Sequence, residues 1–148
     1  MDEAEVLALE NTMLELVGLY DERHRFTAAD ICGIHKRWLG AIYEWAGAYR
    51  QVNISKGDFP FAAAARVPAL MVEFEKTVLA KYTPCNFEDR ADILRALAET
   101  HAELVLIHPF RVSMAVELAT LLISAFRSFS GSRIYWLVSM RVFRFMFK

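Results

Sequence analysis

The residues with chemistry to offer are few, and the histidines come first. His108 opens the run His108-Pro109-Phe110-Arg111 at the end of a long helical pattern, where an imidazole can serve as a general base. His101 lies seven residues earlier on the same expected helix face, but two histidines without a third ligand make a weak metal site, and none is expected. His35 sits with Trp38 and Ile42 and reads as structural, while His24 falls in the charged run "DERHR" and is assigned nothing. A second kind of chemistry belongs to the backbone. In "VNISKGDFPFA", residues 52 to 62, Val52 and Ile54 alternate with Asn53 and Ser55, and Lys56-Gly57-Asp58 supplies turn residues. Pro60, which has no N–H to give, is expected to stop the ladder. The result is a short hairpin with an edge open to another strand, or with Phe59 and Phe61 anchoring it to the core.

Helices must carry these groups. Val6, Leu9, Met13, Leu16, Val17 and Tyr20 recur at spacings of three and four, which predicts an amphipathic helix over 2–20 with an acidic first turn. Thr27 with Asp30 three residues later is a short-acid capping box, and the spacing of Ile31, Ile34, Trp38, Ile42 and Trp45 predicts a helix from 28 to 45, stopping near Gly47. After the hairpin the pattern predicts a helix over 67–81, a break at "YTPCN", and a helix over 87–107 capped by Asn86 and bent or ended by Pro109. A fifth helix is expected over 112–129, a turn at 130–132, and a last apolar helix or irregular segment over 133–148.

Composition bounds the rest. The 148 residues suit one domain with a real core. The formal charge of −1 gives no global field toward nucleic acid. It hides a gradient: the first 117 residues carry −6 and the last 31 carry +5. The basic aromatic tail over 130–148 interleaves Arg133, Arg141 and Arg144 with Tyr135, Trp136 and Phe143, which suits either a snorkelling core helix or peripheral contact with an anionic membrane or partner. The longest apolar stretch, 118–126, is shorter than the roughly 18 to 20 residues that span a bilayer. Two distant cysteines, Cys32 and Cys85, and an acidic N-terminus lead to the expectation of a cytoplasmic protein, at most peripheral at the inner membrane surface.

The segment "IHKRWLGAIYEWAGAYRQVNISKGDFPFA", 34 to 62, followed some fifty residues later by "HPFR", resembles the target-binding flap and the motif start of Fic-domain proteins, with the motif HxFx(D/E)GNGRxxR. The likeness covers roughly residues 25 to 111. It implies a mainly α Fic-type bundle of roughly six to eight helices, short ones included, plus one β-hairpin, as a single domain over 1–148. It also implies an activity: His108 would take the proton of a target hydroxyl that attacks the α-phosphate of ATP, with an acidic residue on Mg²⁺, a Gly-Asn-Gly turn on the phosphates, and two arginines on the leaving pyrophosphate. Val52, Asn53, Ile54, Ser55, Lys56 and Gly57 would be the flap that registers a target as an added strand.

This chain then departs from the motif. His108, Pro109, Phe110 and Arg111 match. Val112 stands at the metal-binding acid, Ser113, Met114 and Ala115 replace Gly-Asn-Gly, and Val116 and Ala119 replace the arginines. A second alignment deletes the phosphate loop, and the chemistry is missing either way. "VLALEN", 6 to 11, resembles half of the family's inhibitory (S/T)xxxE(G/N) helix, and with no arginine left to block it reads as an ordinary helix. The expectation is a degenerate Fic protein in which His108 is vestigial, no cofactor is bound, and a protein partner docks on the flap edge. The alternative keeps His108 active in nucleotidyl or phosphoryl transfer with ATP and Mg²⁺ at an atypical phosphate site, using Arg111 or the tail arginines.

Overall fold

The computed structural model describes residues 2–21, 23–84 and 86–111. The expected helix over 112–129, the turn at 130–132, the tail and Cys85 lie outside the described residues. Helix α1, Glu3–Leu19, begins at a reciprocal capping box: Asp2 Oδ1 accepts the Glu5 N–H at 2.9 Å and the Glu5 carboxylate accepts the Asp2 N–H at 2.8 Å. Its inner face carries fully buried Leu16, with Leu9 and Met13 partly covered, while Leu7, Leu14 and Leu19 face outward. The helix is held to its neighbour at Glu5. The Trp38 indole donates to the Glu5 carbonyl at 2.9 Å and the Tyr43 hydroxyl donates to its carboxylate at 2.8 Å.

Helix α2, Ala28–Leu39, starts where the sequence places it, with Thr27 and Asp30 forming the expected box. It ends six residues before the expected boundary at 45. Beyond Gly40 the chain coils in tight turns, with Ile42 N–H to Leu39 C=O at 2.9 Å, Ala46 to Tyr43 at 3.1 Å and Ala48 to Trp45 at 3.0 Å. Such turns keep Ile42 and Trp45 on the inward side, so apolar spacing alone does not distinguish them from a continuing helix. Gly47 is a crossing point: its φ is +84°, and a Cβ there would sit 2.8 Å from the Lys36 Cβ.

Strands β1, Ser55–Lys56, and β2, Phe59–Pro60, pair antiparallel with Ser55 opposite Pro60 and Lys56 opposite Phe59. The turn is the two-residue Gly57-Asp58, with Gly57 at φ +58°, the geometry that glycine makes easy. Lys56 therefore belongs to the strand. Pro60 does not end the pairing either, because the Phe61 N–H donates to the Ile54 carbonyl at 3.2 Å. A proline removes only its own donor.

A rod follows. A 3₁₀ turn, Ala64–Arg66, leads into α3, Val67–Phe74, then a π-helical turn, Glu75–Leu79, and α4, Ala80–Tyr82. The boundaries suit the expected 67–81, but the π turn has no signal in the apolar spacing. It presents Glu75 to the first turn of α2, where its carboxylate accepts the Ala28 N–H at 2.6 Å. After the cis Thr83–Pro84 peptide comes α5, Arg90–Ile107. Its cap is Asp89, which accepts the Ala91 N–H at 2.9 Å, and not Asn86, which lies three residues upstream, outside the helix. The core joins Leu16 of α1, Ile31, Ile34 and Leu39 of α2, Met71 of α3 and Leu104 of α5. No helix among the described residues is long and apolar enough to cross a membrane.

The two capping assignments separate cleanly in a stability measurement. Asp89→Ala is expected to lower the urea unfolding free energy by about 1 kcal/mol, and Asn86→Ala to leave it within about 0.5 kcal/mol of wild type.

Candidate functional site

Helix α5 delivers His108 to its own C-terminal end. The His108 N–H still donates to the Leu104 carbonyl at 2.9 Å, but its backbone has turned left-handed, at φ 48° and ψ 66°. That conformation costs a non-glycine residue roughly 1 to 2 kcal/mol, so the surroundings must hold it. The ring is buried, 4.2 Å from the Phe61 ring between centroids. His101 stays on the helix, half-buried, with burial lowering its pKa. The expected shared face of His101 and His108 is lost because His108 leaves the helical path. Among the described residues no group of three or more His, Cys, Asp or Glu is placed to hold a metal ion.

The holding is done by Arg50, which is 1% exposed. Its Nε donates to the His108 carbonyl at 2.7 Å and its Nη1 to the Val52 carbonyl at 2.7 Å. Nη2 reaches the Ala62 carbonyl and, at 3.3 Å, that of Ile107. The Arg50 N–H donates to the Pro109 carbonyl at 2.9 Å. The charge has no carboxylate among these partners; it is met by carbonyls, two of them at the negative end of α5. Burial pulls the Arg50 pKa down, from a starting point so high that the group stays charged at neutral pH.

Beneath the loop lies an aromatic floor. Phe110, buried, stacks on His35 with centroids 3.8 Å apart and planes 10° from parallel, and Tyr49 and Trp45 flank the pair. His35 Nδ1 accepts the Gly47 N–H at 2.8 Å, which fixes the neutral tautomer with the proton on Nε2. That Nε2 has no hydrogen-bond partner among the described residues. Burial pushes the His35 pKa down to about 4. Burial raises the Cys32 thiol pKa, which does not suit a nucleophile.

Of the expected site residues, the structure brings His108, Pro109 and Phe110 together as a buried loop, with Arg111 exposed beside them. Ser55, Lys56 and Gly57 form the exposed hairpin. Val52 and Asn53 have further work inside the fold, since the Val52 carbonyl serves Arg50 and the Asn53 side chain accepts the Ala64 N–H at 2.8 Å. The two anchor candidates divide: Phe61 packs on His108, while Phe59 remains 53% exposed. Glu10 of the inhibitory-helix likeness is exposed on α1. Residues 112–116 and 119 lie outside the described residues. The sequence reading missed Arg50 entirely, although an arginine directly before a β-prone run, in a chain that must bury its helix end, was the available signal.

A helical domain that lays one hairpin over a histidine at a helix terminus is a restricted class. The model of the "Fic/DOC family" matches residues 25–112, more than half of the chain, and the chain belongs to that family. It is 34% identical over 84 residues to the "Probable protein adenylyltransferase Fic" of Escherichia coli strain K12, covering 53% of this chain and 39% of the relative. The protein of the same name from Salmonella typhimurium strain LT2 is 33% identical over 86 residues, covering 55% of this chain and 40% of that one. The match therefore spans about two fifths of the length of either relative. In fold, the chain is similar to the N-terminal Fic domain of a Bartonella effector protein (Bep) from Bartonella sp. AR 15-3, with a TM-score of 0.59 at 18% identity, covering 82% of this chain and 61% of that domain.

His35 yields a pH prediction. Its folded pKa, about 4, lies below the unfolded value near 6.5, so its contribution to stability is complete above pH 6.5 and is lost as pH falls toward 4. The wild type should lose about 3 kcal/mol over that window relative to His35→Gln, read as the difference between their urea unfolding free energies at each pH.

Proposed function

We propose that this chain is a Fic-family protein that holds an extended protein segment along its hairpin edge and does not transfer nucleotide. The observation that carries the proposal is a contrast within one site. Arg50 donates to carbonyls of both the flap and the His108 loop, while the sequence just past Arg111 lacks every group the motif uses on phosphate. Valine does not ligate Mg²⁺, and Ser113-Met114-Ala115 disfavours the positive-φ turn through which backbone N–H groups converge on an anion. Losing one preorganised donor to a transition state typically costs about 2.7 to 4 kcal/mol. Here the metal ligand, the turn and both arginines are replaced together, so even strongly non-additive losses leave His108 without a phosphate to work on.

The family likeness supports the docking half of the proposal. β1 has no second strand neighbour among the described residues, and Lys56 and Phe59 lie exposed across from each other. An added strand would gain its affinity from main-chain hydrogen bonds and its selectivity from such side chains. Neither ATP nor Mg²⁺ is required. The setting is cytoplasmic, with the basic tail as a further contact to an anionic surface.

Calorimetric titration with Mg-ATP should give no saturable heat at micromolar concentrations, and labelled ATP incubated with cell lysate should give the same blank lanes for wild type and His108→Ala. Micromolar, metal-dependent binding would contradict the loss of the phosphate site, and labelling that disappears in His108→Ala would instead establish transfer that depends on His108.

A further inference from the structure

We propose that Arg50 is a positioning residue that fixes the register of the hairpin edge against His108, so that a change imposed on the hairpin is felt at the histidine. The inference rests on the reading of the hairpin as a docking edge only for its purpose, since the coupling itself is a property of the unliganded chain. Four of the five guanidinium N–H donors are engaged, and they divide between two bodies. Val52 and Ala62 are the two ends of the flap. Ile107 and His108 are the last carbonyls of α5. Because the fork is planar and rigid, these four carbonyls cannot shift relative to one another without breaking a bond. The main chain repeats the connection, with Arg50 N–H on Pro109 and Ala62 N–H on the Leu106 carbonyl at 3.4 Å.

The geometry also accounts for the backbone of His108. A carbonyl at the end of a helix is normally left to water, and the left-handed turn at φ 48° aims that of His108 at the Nε of Arg50. Lysine would keep the charge and lose the fork. Its ammonium is a compact point charge on a flexible stem, unable to reach both flap ends and both helix carbonyls in one fixed plane. Arg50 therefore does for the site what charge alone would not. A second side-chain contact between the two bodies, the Phe61 ring against the His108 ring, has no directional bonds.

The test is nuclear magnetic resonance on the full chain with labelled backbone and histidine rings. Gly57→Ala strains the hairpin turn at φ +58° where an added Cβ meets nothing within 4 Å, so it twists the flap without a clash. In wild type this change should shift the His108 amide and ring signals, and in Arg50→Lys the same change should shift them at most about one third as much, with Thr27 signals unmoved in both. A shift of the same size in both backgrounds would overturn the proposal and assign the transmission to the main-chain bonds and the Phe61 contact. Should Arg50→Lys fail to fold, hydrogen exchange in the wild type decides: the Arg50, Ala62 and His108 amides should be protected within about tenfold of one another, as one opening unit. Arg50 and Ala62 amides exchanging more than about tenfold faster than His108 would show two independent bodies. No partner is needed in either arm, so a failed clamp is distinguishable from an absent partner.

Discussion

Taking a guanidinium out of water costs several kcal/mol, and among the described residues Arg50 offsets that cost with carbonyls and not with an acid. This choice of partner shapes the site. A carboxylate would have neutralised the charge at one point, whereas carbonyls from Val52, Ala62, Ile107 and His108 spread it over both ends of the flap and the end of α5. The flap, which is only two residues per strand and would be marginal alone, is tied to the end of α5 by this side chain together with main-chain bonds to Pro109 and Leu106. Truncating Arg50 would leave several buried carbonyls unpaired at about 1 to 3 kcal/mol each.

The floor of the site obeys a different physics. His35 and Phe110 stack as flat, neutral rings, and neutrality is enforced by burial, which holds the imidazole far below its usual pKa. Among the described residues, burial is the cause that holds the ring neutral, and no carboxylate is placed to favour its protonated form. The loop after α5 is thus pinned from above by directional bonds to a cation and supported from below by ring contact. Both arrangements act on 108–110.

Much of this was legible in the sequence. The boxes at Thr27 and the end of α5 at Ile107 follow from capping chemistry and from Pro109. The flap and "HPFR" together point to the Fic family, whose model matches residues 25–112. What escaped is instructive in physical terms. The turns at 40–48 keep the inward spacing of a helix, the π turn at Glu75–Leu79 has no periodic signature, and Asp89 competed with Asn86 for one cap. Pro60 removes only its own donor, and Phe61 continues the ladder past it. Arg50 stands before the β-prone run, but two of its four carbonyl partners lie more than fifty residues away, so the local pattern marks its position and not its role.

The rigidity of that clamp is open to direct measurement. With nitroxide side chains introduced at Asp58 on the hairpin tip and Glu103 on α5, pulsed electron spin resonance reports the distribution of distances between flap and helix. A single narrow distribution in the wild type, broadened in Arg50→Lys while a control pair at Glu10 and Lys36 stays narrow, is the result this account requires. A flap distribution equally wide with arginine and with lysine would contradict it.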